Sequence, residues 1–235
     1  MTKLAVGCSF THGAPWPETI WPGEKILNLG MSGAGNRYIA KTCIEEISFN
    51  QSVDEVFLLF TDFSRIDLEF PKEGYEMVSK DGKDHAYTLR QRSAWVHSGA
   101  DVFKFKPKRV NYFHPIFDKF IALQYLDRTN EYMINSNFLE IITTINFLDN
   151  MKIKYNWSMI IDPRDPDTHD VFGTIPVPST HPLWKSVNMA NFIEPTPFKW
   201  CLKKNLISDD EFHPSIDGYI KWGEQIKKAI NNRTA

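Results

Sequence analysis

The chain is poor in cysteine, has no long apolar run and carries almost no net charge, and each of these absences excludes a class of protein. Its three cysteines, Cys8, Cys43 and Cys201, are an odd number at spacings that match neither a disulfide framework nor a zinc ribbon, which suits a reducing compartment. No stretch approaches the roughly 18 apolar residues needed to span a bilayer. The richest, FLEIITTINFL, is interrupted by Glu140, Thr143, Thr144 and Asn146. The N-terminal run in MTKLAVGCSF is shorter than a secretory core of about 7 to 15 residues, so no signal peptide is read. Twenty-seven Lys plus Arg against 29 Asp plus Glu leave a net charge of −2. No global basic field exists to hold a polyanion, and neither nucleic acid nor membrane is expected as a partner.

What is present is an ordinary globular composition, 42% hydrophobic and 24% charged over 235 residues, enough for one large α/β domain. KLAVGC (3–8) and EKILNL (24–29) are short apolar runs bounded by turn residues and read as buried strands. A connection containing Pro15, Pro17 and Pro22 joins them. After GMSGAG, the spacing of Ile39, Cys43, Ile44 and Ile47 predicts a helix over 36–49, and VDEVFLLFT then reads as a third buried strand. Strand, strand, helix, strand at this pitch implies a parallel sheet with helices packed on its faces.

From Asp62 to about Val110 no period is sustained, and the stretch reads as an aromatic-rich insertion or lid. Helices are predicted over 112–126 and 131–148, the second with Ile134, Phe138, Ile141, Ile142, Ile145 and Leu148 on one side. KIKYNWSMII is a fourth strand. Seven prolines mark 162–197 as loop-rich. A last helix over about 215–230 is expected to turn Ile216, Ile220, Gly223, Ile226 and Ile230 inward.

In open parallel sheets ligands gather at the carboxyl ends of the strands. There the sequence places Ser9 (GCSFTHG), the turn Gly30–Asn36 (GMSGAGN) and Thr61–Asp62 (FTDFSR), while DDEFHPS near the C-terminus sets Asp210 three residues before His213. A serine hydroxyl needs an imidazole to take its proton, and the imidazole needs a carboxylate to fix its tautomer. Ser9, His213 and Asp210 can supply that set. A glycine-rich turn can offer unobstructed backbone N–H donors to the oxyanion of a tetrahedral intermediate.

In order and context these blocks resemble the SGNH (GDSL-type) hydrolase family, especially short forms encoded by tailed bacteriophages. GCSFTHG resembles its serine block, with Cys8 where the name-giving Asp usually stands, and NLGMSGAGN resembles its glycine block. Asp210, His213 and Pro214 match its Asp-x-x-His-Pro block. The resemblance implies a flavodoxin-like three-layer α/β/α domain over 1–235, sheet order about 2-1-3-4, with an insertion at about 62–110. It implies Ser9, Asp210 and His213 as catalytic residues and Gly33 as an oxyanion donor. The family's usual Gly-x-Asn-Asp block is altered: Asp62 stands where a donating Asn is usual, and a carboxylate can only accept. Either Asn36 or Thr61 fills that place, or the hole has only the Ser9 and Gly33 amides.

The implied activity is serine-dependent hydrolysis of an ester, such as an O-acetylated glycan or a small acyl ester, without cofactor or metal. The rival reading is a catalytically weak SGNH-like binding or virion-associated structural module. The corresponding location is the cytoplasm, of the host cell if phage-encoded, or the virion. Gly30, Gly33 and Gly35 do not follow a GxGxxG order, which disfavours a nucleotide loop. Asp162, Asp165, Asp167 and Asp170 with His169 could attract a cation, but their alternation with proline reads as a solvated turn.

Overall fold

A computed structural model of the chain describes residues 1–50, 52–71, 87–89, 93–98, 129–165 and 174–234. In chain order its first elements are β1 (Thr2–Gly7), α1 (Trp16–Ile20), β2 (Ile26–Asn28), α2 (Asn36–Phe49) and β3 (Val53–Phe60). β4 (Ile66–Pro71), β5 (Tyr87–Leu89) and β6 (Ser93–Ser98) follow. The chain then forms α3 (Asn130–Met151), β7 (Lys154–Met159), a 3₁₀ turn (Pro182–Ser186), α4 (Pro197–Lys203) and α5 (Ile216–Thr234).

β2, β1, β3 and β7 form one parallel sheet in that order, which is the 2-1-3-4 arrangement that the family resemblance implies. Its strands read as unbroken apolar runs because helices cover both faces. The chain steps from β1 outward to β2 through α1, then back across β1 to β3 through α2. Right-handed crossovers in opposite directions put α1 and α2 on opposite faces. α3, which continues in the direction of α2, packs on it, whereas α5 returns to pack on α1 with α4 beside it. The reversal of direction lies between β1 and β3, so ligand chemistry is expected just beyond the carboxyl end of β1.

Aromatic side chains tie the α1/α5 layer to the sheet. Trp16 meets Phe57 at 5.0 Å and Trp222 at 5.5 Å between ring centroids, both edge-on, a geometry worth about 0.5–1.5 kcal/mol per pair beyond area burial. On the other layer Phe63 meets Phe138 of α3 at 5.2 Å, also edge-on.

The structure departs from the periodicity in several places. Ile216 and Ile220 are exposed, and the inward face of α5 is Tyr219, Trp222, Ile226 and Ile230. Trp222 packs edge-on against Phe57 and Tyr219 against Phe10, and these two aromatics displace the aliphatic stripe. α1 and α4 arise inside segments read as proline-rich connections, because Pro17 and Pro197 stand in the first turn of each helix, where no N–H is required. β4, β6 and β5 form a separate three-stranded antiparallel sheet within the stretch expected to be an insertion. These strands are short, and no sustained period marked them in the sequence. The predicted helix over 112–126, the rest of the insertion, and Asp167, His169 and Asp170 lie outside the described residues. No described helix is long and apolar enough to cross a membrane.

Candidate active site

β1 ends in a tight turn in which the Cys8 carbonyl accepts the N–H groups of both Thr11 (2.9 Å) and His12 (3.0 Å). Ser9 occupies the first position of that turn and is half-buried. Its backbone N–H has no partner among the described residues. Far along the chain, residues 206–215 fold back on themselves: Ser208 N–H donates to the His213 carbonyl and Ser215 N–H to the Leu206 carbonyl, each at 2.7 Å. Within this loop Asp210 Oδ1 accepts from the Ser208 hydroxyl (2.6 Å) and from the N–H groups of Phe212 (2.9 Å) and His213 (2.8 Å). The carboxylate is thus fixed before the imidazole meets it.

His213 Nδ1 donates to Asp210 Oδ2 at 2.6 Å, and His213 Nε2 lies 2.8 Å from Ser9 Oγ across 204 residues of sequence. A carboxylate partner on Nδ1 makes that nitrogen the donor, so in the neutral ring Nε2 is the acceptor facing the serine O–H. The Phe10 ring, buried and 5.0 Å from the imidazole between centroids, backs His213. Phe10 is itself held through its carbonyl by Trp16 Nε1 at 2.8 Å. Burial pushes the Asp210 carboxyl upward, but the His213 N–H, the Ser208 hydroxyl, the Phe212 N–H and the imidazole outweigh it. Together they hold the carboxyl far below its ordinary 3.8.

The glycine-rich turn follows β2 and docks beside the Ser9 turn. Met31 N–H donates to the Gly7 carbonyl at 3.0 Å, and His12 donates from Nδ1 to the Gly30 carbonyl at 3.0 Å. Gly33 has φ +81°, a conformation that disfavours any side chain. Its N–H has no partner among the described residues.

The remaining predicted site residues are placed differently from expectation. Asn36, considered as a third oxyanion donor, is buried with its amide fully engaged. It donates to the Thr61 carbonyl (3.2 Å) and Asn137 Oδ1 (2.8 Å), and its Oδ1 accepts from Thr61 N–H (2.8 Å). Thr61 Oγ1 in turn donates to Asp62 Oδ2 at 3.3 Å. Asp62, considered as an oxyanion-side group, is 3% exposed and accepts from Ser64 N–H (2.9 Å), the Ser64 hydroxyl and Arg65 Nε (2.9 Å). Its carboxylate closes a turn and neutralises an arginine. Asn36 and Asp62 are therefore structural ties here, and the Ser9 and Gly33 amides stay without a partner among the described residues.

Two residues around this turn escaped the sequence reading: Asp67 and Asn137. Arg65 Nη1 reaches the Ala34 carbonyl at 3.4 Å, and Asp67 accepts from the N–H groups of Gly35 and Tyr38, each at 2.7 Å. Asn137 donates to the carbonyls of Phe63 (3.1 Å) and Met133 (2.8 Å). Only the polar Asn137 inside an otherwise apolar helical stripe gave a sequence signal. In the acidic stretch Asp162 receives Arg164 in a forked pair, with Nη2 at 2.7 Å from Oδ2, and Asp165 pairs with Lys199.

No family model matches the chain, and no curated protein matches it. Among solved structures the chain is similar to a member of the lipolytic protein G-D-S-L family from Veillonella parvula, at 12% identity over 99% of each chain with a TM-score of 0.48. It is also similar to a gut microbial diltiazem-metabolizing enzyme, at 13% identity and a TM-score of 0.46, covering 98% of this chain but only 46% of that longer one. A third likeness is to an alpha/beta hydrolase enzyme from the metagenome of Lake Arreo, Spain, at 12% identity over 99% of this chain and 94% of that one, with a TM-score of 0.42.

Proposed function

We propose that the protein is a serine hydrolase acting on carboxylic esters. The observation that carries this reading is the hydrogen-bonded series Ser9 Oγ, His213 Nε2 and Nδ1, Asp210 Oδ2, with distances of 2.8 and 2.6 Å. Few structural roles require a serine, a histidine and a carboxylate from the two ends of a chain to meet in this order at the carboxyl end of a sheet.

In the proposed mechanism the ester carbonyl is attacked by Ser9 Oγ as His213 Nε2 takes the hydroxyl proton. Asp210 keeps Nδ1 protonated and stabilises the imidazolium that forms. The tetrahedral oxyanion is held by the Ser9 and Gly33 amides. His213 then returns the proton to the leaving alcohol, and a water repeats the sequence to release the acid and free Ser9.

A hole built on two backbone donors lacks one donor of a three-donor arrangement, a loss of about 2.7–4 kcal/mol of transition-state stabilisation. Slow turnover follows, with small activated acyl esters and O-acetylated glycans as the substrates of choice. The same observation favours a second reading, a binding or virion-associated module with residual activity. The two part on one experiment: labelling with a fluorophosphonate together with turnover of p-nitrophenyl acetate and an O-acetylated sugar. Ester hydrolysis predicts labelling and turnover that are both lost in Ser9→Ala with little change in melting temperature. Equal labelling of wild type and Ser9→Ala overturns it, and Ser9-dependent labelling without turnover favours the binding module.

A further inference from the structure

The geometry points to Asp67, the second residue of β4, as a positioning residue that aims the Gly33 amide at the oxyanion. This assignment rests on the ester-hydrolase reading above. Asp67 is 5% exposed and belongs to the smaller antiparallel sheet, yet its two carboxylate oxygens reach back across 32 and 29 residues to Gly35 N–H and Tyr38 N–H, each at 2.7 Å. α2 has no acidic residue in its first turn and no side-chain cap from Gly35, its own N-cap residue. Asp67 supplies from a distance both the missing acceptor and the negative charge that a helix N-terminus favours.

The glycine at position 35 is explained by this contact and not by its backbone. Its φ of −94° and ψ of −178° are open to any residue. A Cβ there would stand 2.8 Å from Asp67 Oδ2 and 3.0 Å from Cγ, so a side chain at 35 would expel the carboxylate. On the other side of the turn, Arg65 holds the Ala34 carbonyl and is in turn held by Asp62. The two residues that follow Gly33 are thus clamped, one by its carbonyl and one by its amide.

The clamp matters because no side chain of Asn36, Thr61 or Asp62 is left to donate to an oxyanion. A donor must stand within a few tenths of an ångström of the place where charge develops, and an amide can be aimed only through its backbone. Asp67 makes the Gly33 turn a rigid extension of α2, and so links the second sheet to the reacting atoms without touching substrate.

The test is turnover per active site. Asp67→Asn keeps the size but leaves one acceptor oxygen and sets an NH₂ group against the second N–H. Sites are counted by stoichiometric fluorophosphonate labelling of Ser9, and kcat is expressed per labelled site, which removes any loss of folded protein from the measurement. The expected result is a fall of about ten-fold or more in kcat per site, with KM for p-nitrophenyl acetate within about three-fold and the acid limb of the pH profile unmoved. Gly35→Ala, which pushes the same carboxylate away without removing it, is expected to act in the same direction and is measured in the same way if Asp67→Asn does not fold. A kcat per site within two-fold of wild type in the variant measured overturns the positioning role and leaves the ester-hydrolase reading intact. A wild type that neither labels nor turns over overturns that reading, and this assignment with it.

Discussion

Asp62 and Arg65 form an ion pair with side chains only 4% and 13% exposed, Oδ2 to Nε at 2.9 Å, three residues apart at the end of β3. In the family this sequence resembles, the position of Asp62 belongs to an amide that donates to the oxyanion. Here the same position has become an acceptor for Thr61, Ser64 and Arg65. Through Arg65 it reaches the Ala34 carbonyl at 3.4 Å. The Asp62 carboxylate is thus a scaffold contact to the turn that carries Gly33.

Asp62→Asn is accordingly expected to destabilise and not to activate. The substitution takes a charge-assisted acceptor from Arg65 and Ser64, at a cost of about 1.5–3 kcal/mol. Urea denaturation and kcat/KM on the same preparation check both halves of the statement. A ten-fold rise in kcat/KM would contradict the geometry by showing that an amide at this position faces the oxyanion.

Asn36 and Asn137 join α2 to α3 through a buried amide pair at 2.8 Å. Truncating either to alanine strands buried backbone and side-chain polar atoms of the other, and each single variant is expected to lose about 2 kcal/mol. The double variant should lose less than the sum, with a coupling of about 1 kcal/mol. A chemical-denaturation cycle over the four proteins measures it. Additive losses would mean that the two amides do not act as one junction.

Asp210→Asn should lower kcat by roughly 10⁴-fold, because an amide donor facing Nδ1 reverses the tautomer and removes the acceptor from Nε2. The pH dependence of stability has a definite sign. The folded carboxyl titrates well below its ordinary 3.8, so the stability it contributes is fully present above that value and is lost as pH falls through the depressed folded value. The difference in Tm between wild type and Asp210→Asn should therefore close as pH falls below about 4. Thermal melts along a pH series test this.

The thiols should be silent in the native protein. Cys8, Cys43 and Cys201 are all buried, and burial pushes the Cys43 thiol far up and that of Cys201 up to about 12. Ellman's reagent should release almost no chromophore from the native chain and three equivalents after denaturation. Rapid native reaction at Cys8, next to Ser9, would show that the turn opens.

The sequence by itself determined the parallel sheet and the helices it predicts over 36–49 and 131–148, because continuous apolar runs and a 3.6-residue stripe are local consequences of burial on two faces or one, whereas the strand order was implied by the family resemblance. It also nominated Ser9, Asp210 and His213, since nucleophile, base and orienter are constrained by residue type and by position at strand ends. What only the tertiary structure decided is direction. Asn36 carries a donating amide of the kind an oxyanion needs, but hydrogen bonds to Thr61 and Asn137 consume it, and the Asp62 carboxylate is turned to Ser64 and Arg65. The stripe on the last helix turned by a step because Tyr219 and Trp222 outbid Ile216 and Ile220 for the space under them. Asp67 could not be read at all as a cap for a helix that begins about thirty residues earlier. A hydrogen bond has a partner and an angle, and for residues far apart in the chain both are fixed only when the sheets and helices have packed.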